Sequence, residues 1–298
     1  MTVENKHLYL AAEGGKLYRY DLSFDRLDLI FFDENEETLM ALAIYGNYLY
    51  VGGKSRLLKF EIIEDEIKLI KTTNEINKIK FPFRIRKPDF HKMSIISEEI
   101  LITATSYNQV WKFDLELDYK EAYSINPPFK FLPVWHKKNY NHINNIVRYR
   151  DRYYVCLNRL AEQYGSSGVA VLDTKMREEK RFEIGWEAHN FSFIDGKSYV
   201  LCGSSGAIKQ VYHPHKAGLM SNKKLVFEHD SDSFFCKDFT SDGKNIYIVG
   251  GSVGKRQQRA LGDGVIYILD EIHRLTGQKV FKQTGGFCGC LLNSESSV

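Results

Sequence analysis

Three short polar segments, one in each of three similar stretches of the chain, carry side chains suited to metal binding or proton transfer. They are His142-Ile-Asn-Asn145, His189-Asn190 and Lys237-Asp238. Imidazole nitrogens and carboxylate or amide oxygens are suitable ligands for divalent ions, and an imidazole also exchanges protons near neutral pH. Each segment stands directly before an apolar stretch. The sequence therefore points to one site assembled from three separated segments.

Alignment of these segments on the aromatic residues that follow them places equivalent side chains together. The first position holds Asn144, His189 and Lys237, and the next holds Asn145, Asn190 and Asp238. His142 lies two residues before Asn144, so strand alternation points both side chains the same way. We predict a divalent metal ion (Zn, Mn, Fe or Ca) with the candidate ligands His142, Asn145, His189, Asn190 and Asp238. Two alternatives stay open, contact with a non-metal ligand and hydrogen bonding to backbone groups and water.

Two insertions elsewhere in the chain add positive charge that could orient a substrate. Arginine and lysine bind carboxylate or phosphate through charge-assisted hydrogen bonds, so the expected partner is a small anionic molecule. The candidate substrate-binding residues are Arg159, Tyr164, Lys255, Arg256 and Arg259. The candidate catalytic residues are His142, His189 and Lys237. The alternative is that these insertions are solvated surface loops.

A sixfold repeat is the element that must position these residues. Its mark is an aromatic residue or isoleucine followed by aliphatic and small residues, at successive intervals of 41, 52, 52, 45 and 48 residues from Tyr9 to Tyr247. One strand pattern precedes each mark and two follow it, and in the fifth unit the third strand is a degraded copy at 208–212. Four short strands in each unit of about 45 residues predict a β-propeller.

The first unit lacks an innermost strand, and the segment 286–292 has the pattern to supply it. Such an exchange closes the ring and removes unpaired sheet edges. The predicted fold is therefore all-β, a six-bladed β-propeller of four-stranded blades in a single domain, residues 1–298. Two separate sandwich domains are disfavoured because no linker interrupts the period. The predicted blades are 1–36 with 286–292, 37–76, 77–139, 140–184, 185–231 and 232–285.

The loops between second and third strands are uneven in length, which indicates where function lies. From the aromatic mark to the acid that ends the third strand, blades one to three count 12, 11 and 12 residues, whereas blades four and six count 19 and 23. In a propeller these loops lie on the face where the innermost strands begin. Long loops gathered on one rim of a rigid scaffold commonly carry function.

Composition bounds the classes of function. Of the 298 residues 43% are hydrophobic, which is ample for a folded core. The net charge of +3 gives no specific nucleic-acid signal, and no apolar run reaches the roughly 18 residues of a membrane span. The first residues lack a signal-peptide pattern, and the five cysteines form no Cys-x-x-Cys pair. We expect a cytoplasmic protein.

Over nearly its whole length, the sequence resembles the six-bladed propeller superfamily of gluconolactonase-like, strictosidine-synthase-like and NHL-repeat proteins. The resemblance lies in Ile194-Asp-Gly-Lys-Ser-Tyr-Val200 and Ser241-Asp-Gly-Lys-Asn-Ile-Tyr-Ile248. In lactonase-like members an Asn and an Asp at strand heads hold a divalent metal, which implies Asn145 and Asp238 here, with Asn190 between them. The family's early Glu-Gly-Pro segment is replaced by Glu13-Gly-Gly15, which we place in a turn.

The leading hypothesis is a metal-dependent enzyme that acts on a small anionic substrate at the mouth of the propeller channel, as a hydrolase, lyase or isomerase. The metal would polarise the substrate as a Lewis acid. The alternative is a non-catalytic propeller that binds a peptide or protein on its loop-rich face. An exposed aromatic rim around Phe129, Phe131 and Trp135 would favour that alternative.

Overall fold

Six four-stranded antiparallel sheets make up the molecule, as the repeat predicts. The computed structural model describes residues 6–64, 66–73, 87–125, 141–160, 166–203, 217–221 and 224–293. The innermost strands of neighbouring sheets contact one another in a closed ring, so the sheets are the blades of a six-bladed β-propeller. The prediction of fold class is confirmed.

The strands are numbered in chain order. Blade one contains β1 (His7–Ala12), β2 (Lys16–Asp21) and β3 (Arg26–Phe32), and blade two contains β4 (Leu39–Tyr45), β5 (Tyr48–Gly53), β6 (Leu57–Ile63) and β7 (Glu66–Thr72). Blade three contains β8 (Phe90–Ile96), β9 (Glu99–Ala104), β10 (Gln109–Asp114) and β11 (Tyr119–Ser124). Blade four contains β12 (Ile143–Tyr149), β13 (Arg152–Leu157), β14 (Ser166–Leu172) and β15 (Glu178–Trp186). Blade five contains β16 (Ala188–Ile194), β17 (Lys197–Cys202), β18 (Gly218–Ser221) and β19 (Lys224–Glu228). Blade six contains β20 (Phe234–Ser241), β21 (Ile246–Ser252), β22 (Gly264–Leu269) and β23 (Leu275–Phe281), and β24 is Phe287–Asn293.

The last strand closes the ring, as predicted. β24 pairs antiparallel with β1, from His7 opposite Asn293 to Ala12 opposite Phe287, and the sheet order of blade one is β24-β1-β2-β3. Blade one is therefore assembled from both ends of the described chain. Its innermost strand comes last in the sequence, which holds the first and sixth blades together.

The core lies between the blades. Six clusters of buried apolar side chains fill the six interfaces between neighbouring blades. Inner strands are covered on both faces, so every residue of β1 is buried, whereas most of β7 at the outer rim is exposed. The apolar runs of the repeat are thus explained by two-sided burial, and the polar outer strands by contact with water.

One strand of blade five differs from the prediction. The strand that pairs with β17 is β18, Gly218–Ser221, and the predicted third strand at 208–212 lies outside the described residues. β18 has only four residues and begins with glycine, so it lacks the β-branched alternation that marks a strand in sequence. Within the described ranges, no helix combines the length and apolar character needed to cross a membrane.

Every innermost strand carries a β-bulge near its start. In β20, Cys236 pairs with Gly250 and Asp238 pairs with Val249, so Lys237 is an extra residue. A bulge re-aims the extra side chain and lets two consecutive side chains face the same side. The bulge positions are Met40, His91 with Lys92, Asn144, His189, Lys237 and Cys288.

Candidate functional site

A cavity of about 250 Å³ lies where the innermost strands begin, and the bulges build its wall. Every blade contributes at least one bulge side chain, and these side chains are Met40, His91 with Lys92, Asn144, His189, Lys237 and Cys288. Drug-sized ligands occupy pockets of roughly 300–1,000 Å³, so this cavity suits a smaller molecule. Because bulges recur beside active sites, their convergence marks the cavity as the candidate site.

Strained backbone surrounds the same cavity. In blades three, four and five the residue just before the innermost strand has a positive φ without being glycine: 58° at Asp89, 48° at His142 and 43° at Glu187. All three side chains line the cavity. Their carbonyl groups accept hydrogen bonds from Thr105, Asn158 and Gly203, which hold the backbone in place. Such conformations cost about 1–3 kcal/mol each and cluster at functional sites.

Two imidazole rings and a carboxylate form one side of the cavity. His91 Nε2 lies 3.6 Å from Asp89 Oδ2, and the rings of His91 and His142 meet edge to face with centroids 5.2 Å apart. Burial would raise the pKa of Asp89, but His91, Arg256 and His142 beside it hold that pKa well below its usual range. Asp89 is therefore a permanent negative charge beside two imidazoles.

The opposite side is organised around a buried carboxylate that the sequence placed in a turn. Glu13 is fully buried, and its Oε1 accepts hydrogen bonds from Lys237 Nζ at 2.7 Å and Arg259 Nε at 3.1 Å. Thr38 Oγ1 donates to the other oxygen at 2.8 Å. Burial would raise the pKa of Glu13, but the charges of Lys237 and Arg259 outweigh it and lower the pKa to about 2.

The insertion in blade six delivers two arginines to the cavity. Residues Arg256–Leu261 form the short helix α1, and because residues three apart share a helix face, Arg256 and Arg259 both reach the cavity. Arg256 is held differently from Arg259. Its nitrogens lie 3.8–3.9 Å from Glu13, Glu37 and Asp89, and its side chain is 36% exposed. Its guanidinium group therefore keeps access to a ligand.

Cationic side chains outnumber acidic ones in the described lining of the cavity. The cationic lining residues are Lys92, Arg159, Lys237, Arg256 and Arg259, and the acidic ones are Asp89, Glu187 and Asp238. Behind this lining, Glu13 is paired with Lys237 and Arg259 and Glu37 lies 3.8 Å from Arg256, so among the described residues five carboxylates offset the five cations. Three imidazoles, those of His91, His142 and His189, can add further positive charge when they accept protons. A net positive charge, which favours an anionic ligand, therefore depends on protonated imidazoles.

Below the cavity a row of hydrogen-bonded side chains crosses the channel. The Asn145 amide donates to Asn190 Oδ1, and Asn190 Nδ2 donates to Asp238 Oδ1 at 2.5 Å. Lys92 Nζ, from the blade opposite, reaches Asp238 Oδ2 at 2.5 Å. Lys92, together with Asn145 and Asn190, also lines a second cavity of about 400 Å³. The ion pair thus separates the upper cavity from the lower part of the channel.

Loss of the cross-channel ion pair should destabilise the fold. We expect Lys92→Met to lower the free energy of unfolding by about 2 kcal/mol, because Asp238 loses a charge-assisted hydrogen bond in a nearly dry site. Urea unfolding measures the change. Lys175→Met, at an exposed lysine, is the control and should stay within about 0.5 kcal/mol of the wild type. Equal stability of the two variants would contradict a structural role for the pair.

The contacts of Asp238 also test whether a metal fits the predicted ligand set. Its two oxygens accept hydrogen bonds from Lys92, Asn190 and the backbone N–H groups of Phe239 and Cys290. An ammonium group already balances its charge, so the carboxylate as placed does not fit a metal ion. Among the described residues, no three His, Cys, Asp or Glu side chains are grouped to hold one. The metal stays a prediction, and no step below uses it.

The structure brings most of the predicted site residues to one place. Of the predicted residues, those lining the upper cavity are His142, Arg159, His189, Lys237, Asp238, Arg256 and Arg259. Asn145 and Asn190 lie beneath it and line the lower cavity. Lys255 does not line the cavity, because it is the exposed N-cap residue before α1. Tyr164, like the predicted aromatic rim of Phe129, Phe131 and Trp135, lies outside the described residues.

The sequence did not single out several residues of the site, among them the lining residues Asp89, His91, Lys92, Glu187 and Cys288 and, behind the wall, Glu13. Asp89 and His91 lie in the basic stretch 84–92, and its sequence does not mark them as site residues. Burial raises the pKa of the Cys288 thiol to about 11, and Lys237 Nζ lies 3.1 Å from its sulfur. Glu13 was missed for another reason, because its cationic partners Lys237 and Arg259 lie more than 220 positions away in the chain.

Comparison with known proteins supports the fold. No protein-family model matches the chain, and no curated protein matches it. Among solved structures, it is similar to a protein of unknown function from Bacteroides caccae, with a TM-score of 0.64 and 11% identity over 98% of this chain and 100% of that one. A chain of a nidogen/laminin complex gives 0.60 and 12%, covering 96% and 98%. An inactive virginiamycin B lyase from Staphylococcus aureus, solved with quinupristin, gives 0.51 and 13%, covering 80% and 71%.

Proposed function

We propose that the protein is an enzyme that binds a small anionic molecule in the upper cavity and acts on it by proton transfer. The observation that carries the proposal is the convergence of three imidazoles and the Arg256 and Arg259 side chains on one cavity of about 250 Å³. Positive φ at Asp89, His142 and Glu187 gives further support, since these three equivalent positions of neighbouring blades all line this one cavity.

Three of the cations that line the cavity are held by carboxylates, whereas Arg256 is placed to meet the ligand. Lys237 and Arg259 are paired with Glu13, and Lys92 is paired with Asp238. Arg256 has three carboxylates around it at 3.8 Å or more. Its planar guanidinium can form two parallel hydrogen bonds to a carboxylate or phosphate. We therefore assign Arg256 the role of contacting the anionic group.

Anion binding is tested by thermal unfolding with oxalate, pyruvate, citrate and phosphate. At least one of them should raise the melting temperature, because a ligand at one hundred times its Kd stabilises the fold by about 2.7 kcal/mol. Arg256→Gln should weaken that binding about tenfold, the equivalent of about 1.4 kcal/mol.

The matched control is Arg274→Gln, at an arginine paired with Asp270 in a turn of blade six outside the cavity. It should bind the same anion as the wild type does. If none of the four anions shifts the melting temperature, or if both arginine variants respond like the wild type, the proposed site is wrong.

A further inference from the structure

We infer that His142 and His91, with Asp89 behind them, are the proton-transfer pair of this site, and that its substrate is a carboxylate with an acidic C–H bond next to a carbonyl group. The inference rests on the proposed function, because it needs the anion to bind beside these rings. It adds which groups move the proton and what class of molecule supplies it.

The first support is the way the fold presents these three side chains. Asp89 and His142 occupy equivalent positions in neighbouring blades, each held at positive φ just before an innermost strand. His91 is turned into the cavity by the bulge of β8. Three separate departures from regular strand geometry thus bring an acid and two imidazoles together. The two rings meet edge to face with centroids 5.2 Å apart, so they are in direct contact and a substrate does not fit between them.

The second support is the polar atoms that these groups offer. Asp89 Oδ1 and His91 Nε2 are buried and have no hydrogen-bond partner among the described residues. Asp89 Oδ2 faces His91 Nε2 at 3.6 Å, a gap that closes when the ring carries a proton there. A fixed carboxylate stabilises the imidazolium that forms when the ring takes up a proton. Asp89 is therefore a positioning residue, and the imidazoles meet the substrate.

The third support comes from the other reactive groups of the cavity, which are poorly suited to covalent attack. The Cys288 thiol has its pKa raised to about 11 by burial, so it stays protonated near neutral pH. The Lys237 ammonium is bound to Glu13. No Ser, Thr or Tyr side chain is among the described residues of the lining. Proton transfer is the chemistry that these side chains support.

The step conserves atoms and electrons without a further reagent. An imidazole nitrogen takes the proton from the carbon next to the carbonyl group, and the C–H electron pair forms a carbon–carbon double bond. The carbonyl π electrons move to its oxygen, which becomes an enolate oxyanion. The Arg256 guanidinium lies beside the same cavity and can stabilise that charge. Return of a proton from the imidazole to carbon regenerates the carbonyl compound.

In D₂O this step replaces C–H by C–D, which ¹H NMR follows directly. The probes are pyruvate, 2-oxobutyrate and oxaloacetate, each first checked for binding by thermal unfolding. The wild type should exchange at least one bound probe faster than buffer does. His142→Asn should lower that rate at least a hundredfold, the lower end of what a positioned acid or base contributes. Asparagine tolerates positive φ, so the backbone at this position is preserved.

Asp89→Asn tests the positioning role without disturbing the fold, because asparagine also tolerates the positive φ at this position. It should lower the maximal exchange rate about tenfold and leave the half-saturating concentration nearly unchanged. The control is His273→Asn, at a histidine that also has positive φ (67°) and bonds Tyr199 outside the cavity, and it should exchange like the wild type. A probe that binds without exchanging, or exchanges equally in His142→Asn, overturns the proton-transfer pair and leaves anion binding intact. If no probe and no anion binds, both proposals fail.

Discussion

A chain that ends at Gly285 is expected not to fold, because it lacks the strand that closes the propeller. β24 supplies the innermost strand of blade one, and Phe287 and Cys290 on it are buried with Leu8 and Leu10 at the interface between blades one and six. Loss of one buried phenylalanine side chain alone costs about 3–5 kcal/mol. Removal of the whole strand should exceed the 5–15 kcal/mol by which a typical domain is stable.

Circular dichroism and thermal unfolding test this expectation, with two other variants of the protein for comparison. A chain that ends at Asn293 keeps every contact described for β24 and should unfold cooperatively like the full-length protein. Phe287→Ala in the full-length chain should retain the fold and lose about 3–5 kcal/mol. A cooperative transition at the wild-type temperature in the chain that ends at Gly285 would show that ring closure is not needed.

The blade count and the closure were predictable because most blades bury the same part of their repeat. Tyr9, Tyr50, Tyr199 and Tyr247 are all nearly inaccessible, since each is covered by the next blade. Because equivalent positions are buried in successive blades, the same apolar pattern recurs in the sequence. For the same reason the segment 286–292 could be recognised as an innermost strand although it is far from blade one in the chain.

The bulges explain what alternation alone did not predict. In a regular strand, Lys237 and Asp238 would point to opposite faces. The bulge at Lys237 lets both side chains face the channel, where Lys237 bonds Glu13 above and Asp238 bonds Lys92 below. A bulge adds one residue without a special residue type, so hydrophobic patterning does not reveal it.

A shift of one residue in the repeat alignment hid His91. The sequence alignment equated Ile102 with Tyr154. In the structure, Met93 is the third residue after Phe90, the last paired residue before the bulge, and it pairs with Ile102. In blade four, Ile146 is the third residue after Ile143, the last paired residue before the bulge, and it pairs with Val155. Ile102 therefore corresponds to Val155, and the blade-three counterpart of Asn144 is His91. Blade three carries no aromatic residue where Tyr154 stands, so the alignment had no anchor there.

Glu13→Gln is expected to lower the free energy of unfolding by about 3–5 kcal/mol at neutral pH, because two buried cations lose their counter-charge. Lys237 Nζ and Arg259 Nε both lie within 3.1 Å of the Glu13 carboxylate, which is fully buried. The neutral amide can accept a hydrogen bond from one of them but cannot balance their charge. Glu66→Gln, at an exposed glutamate on β7, is the matched control and should change stability by less than about 0.5 kcal/mol.

The effect of Glu13 should also depend on pH in one direction. Its pKa is about 2 in the folded protein, against 4.5 in the absence of these contacts, so folding favours the ionised form. That difference corresponds to about 3 kcal/mol of stability, fully present above the unfolded pKa and lost as the pH falls from about 5 towards 2. Urea unfolding at pH 7, 4 and 3 should therefore show the wild type approaching Glu13→Gln as the pH falls. A difference in the free energy of unfolding that is the same at all three pH values would mean that the carboxylate is not ionised between Lys237 and Arg259. It would also contradict the charges assigned to the cavity.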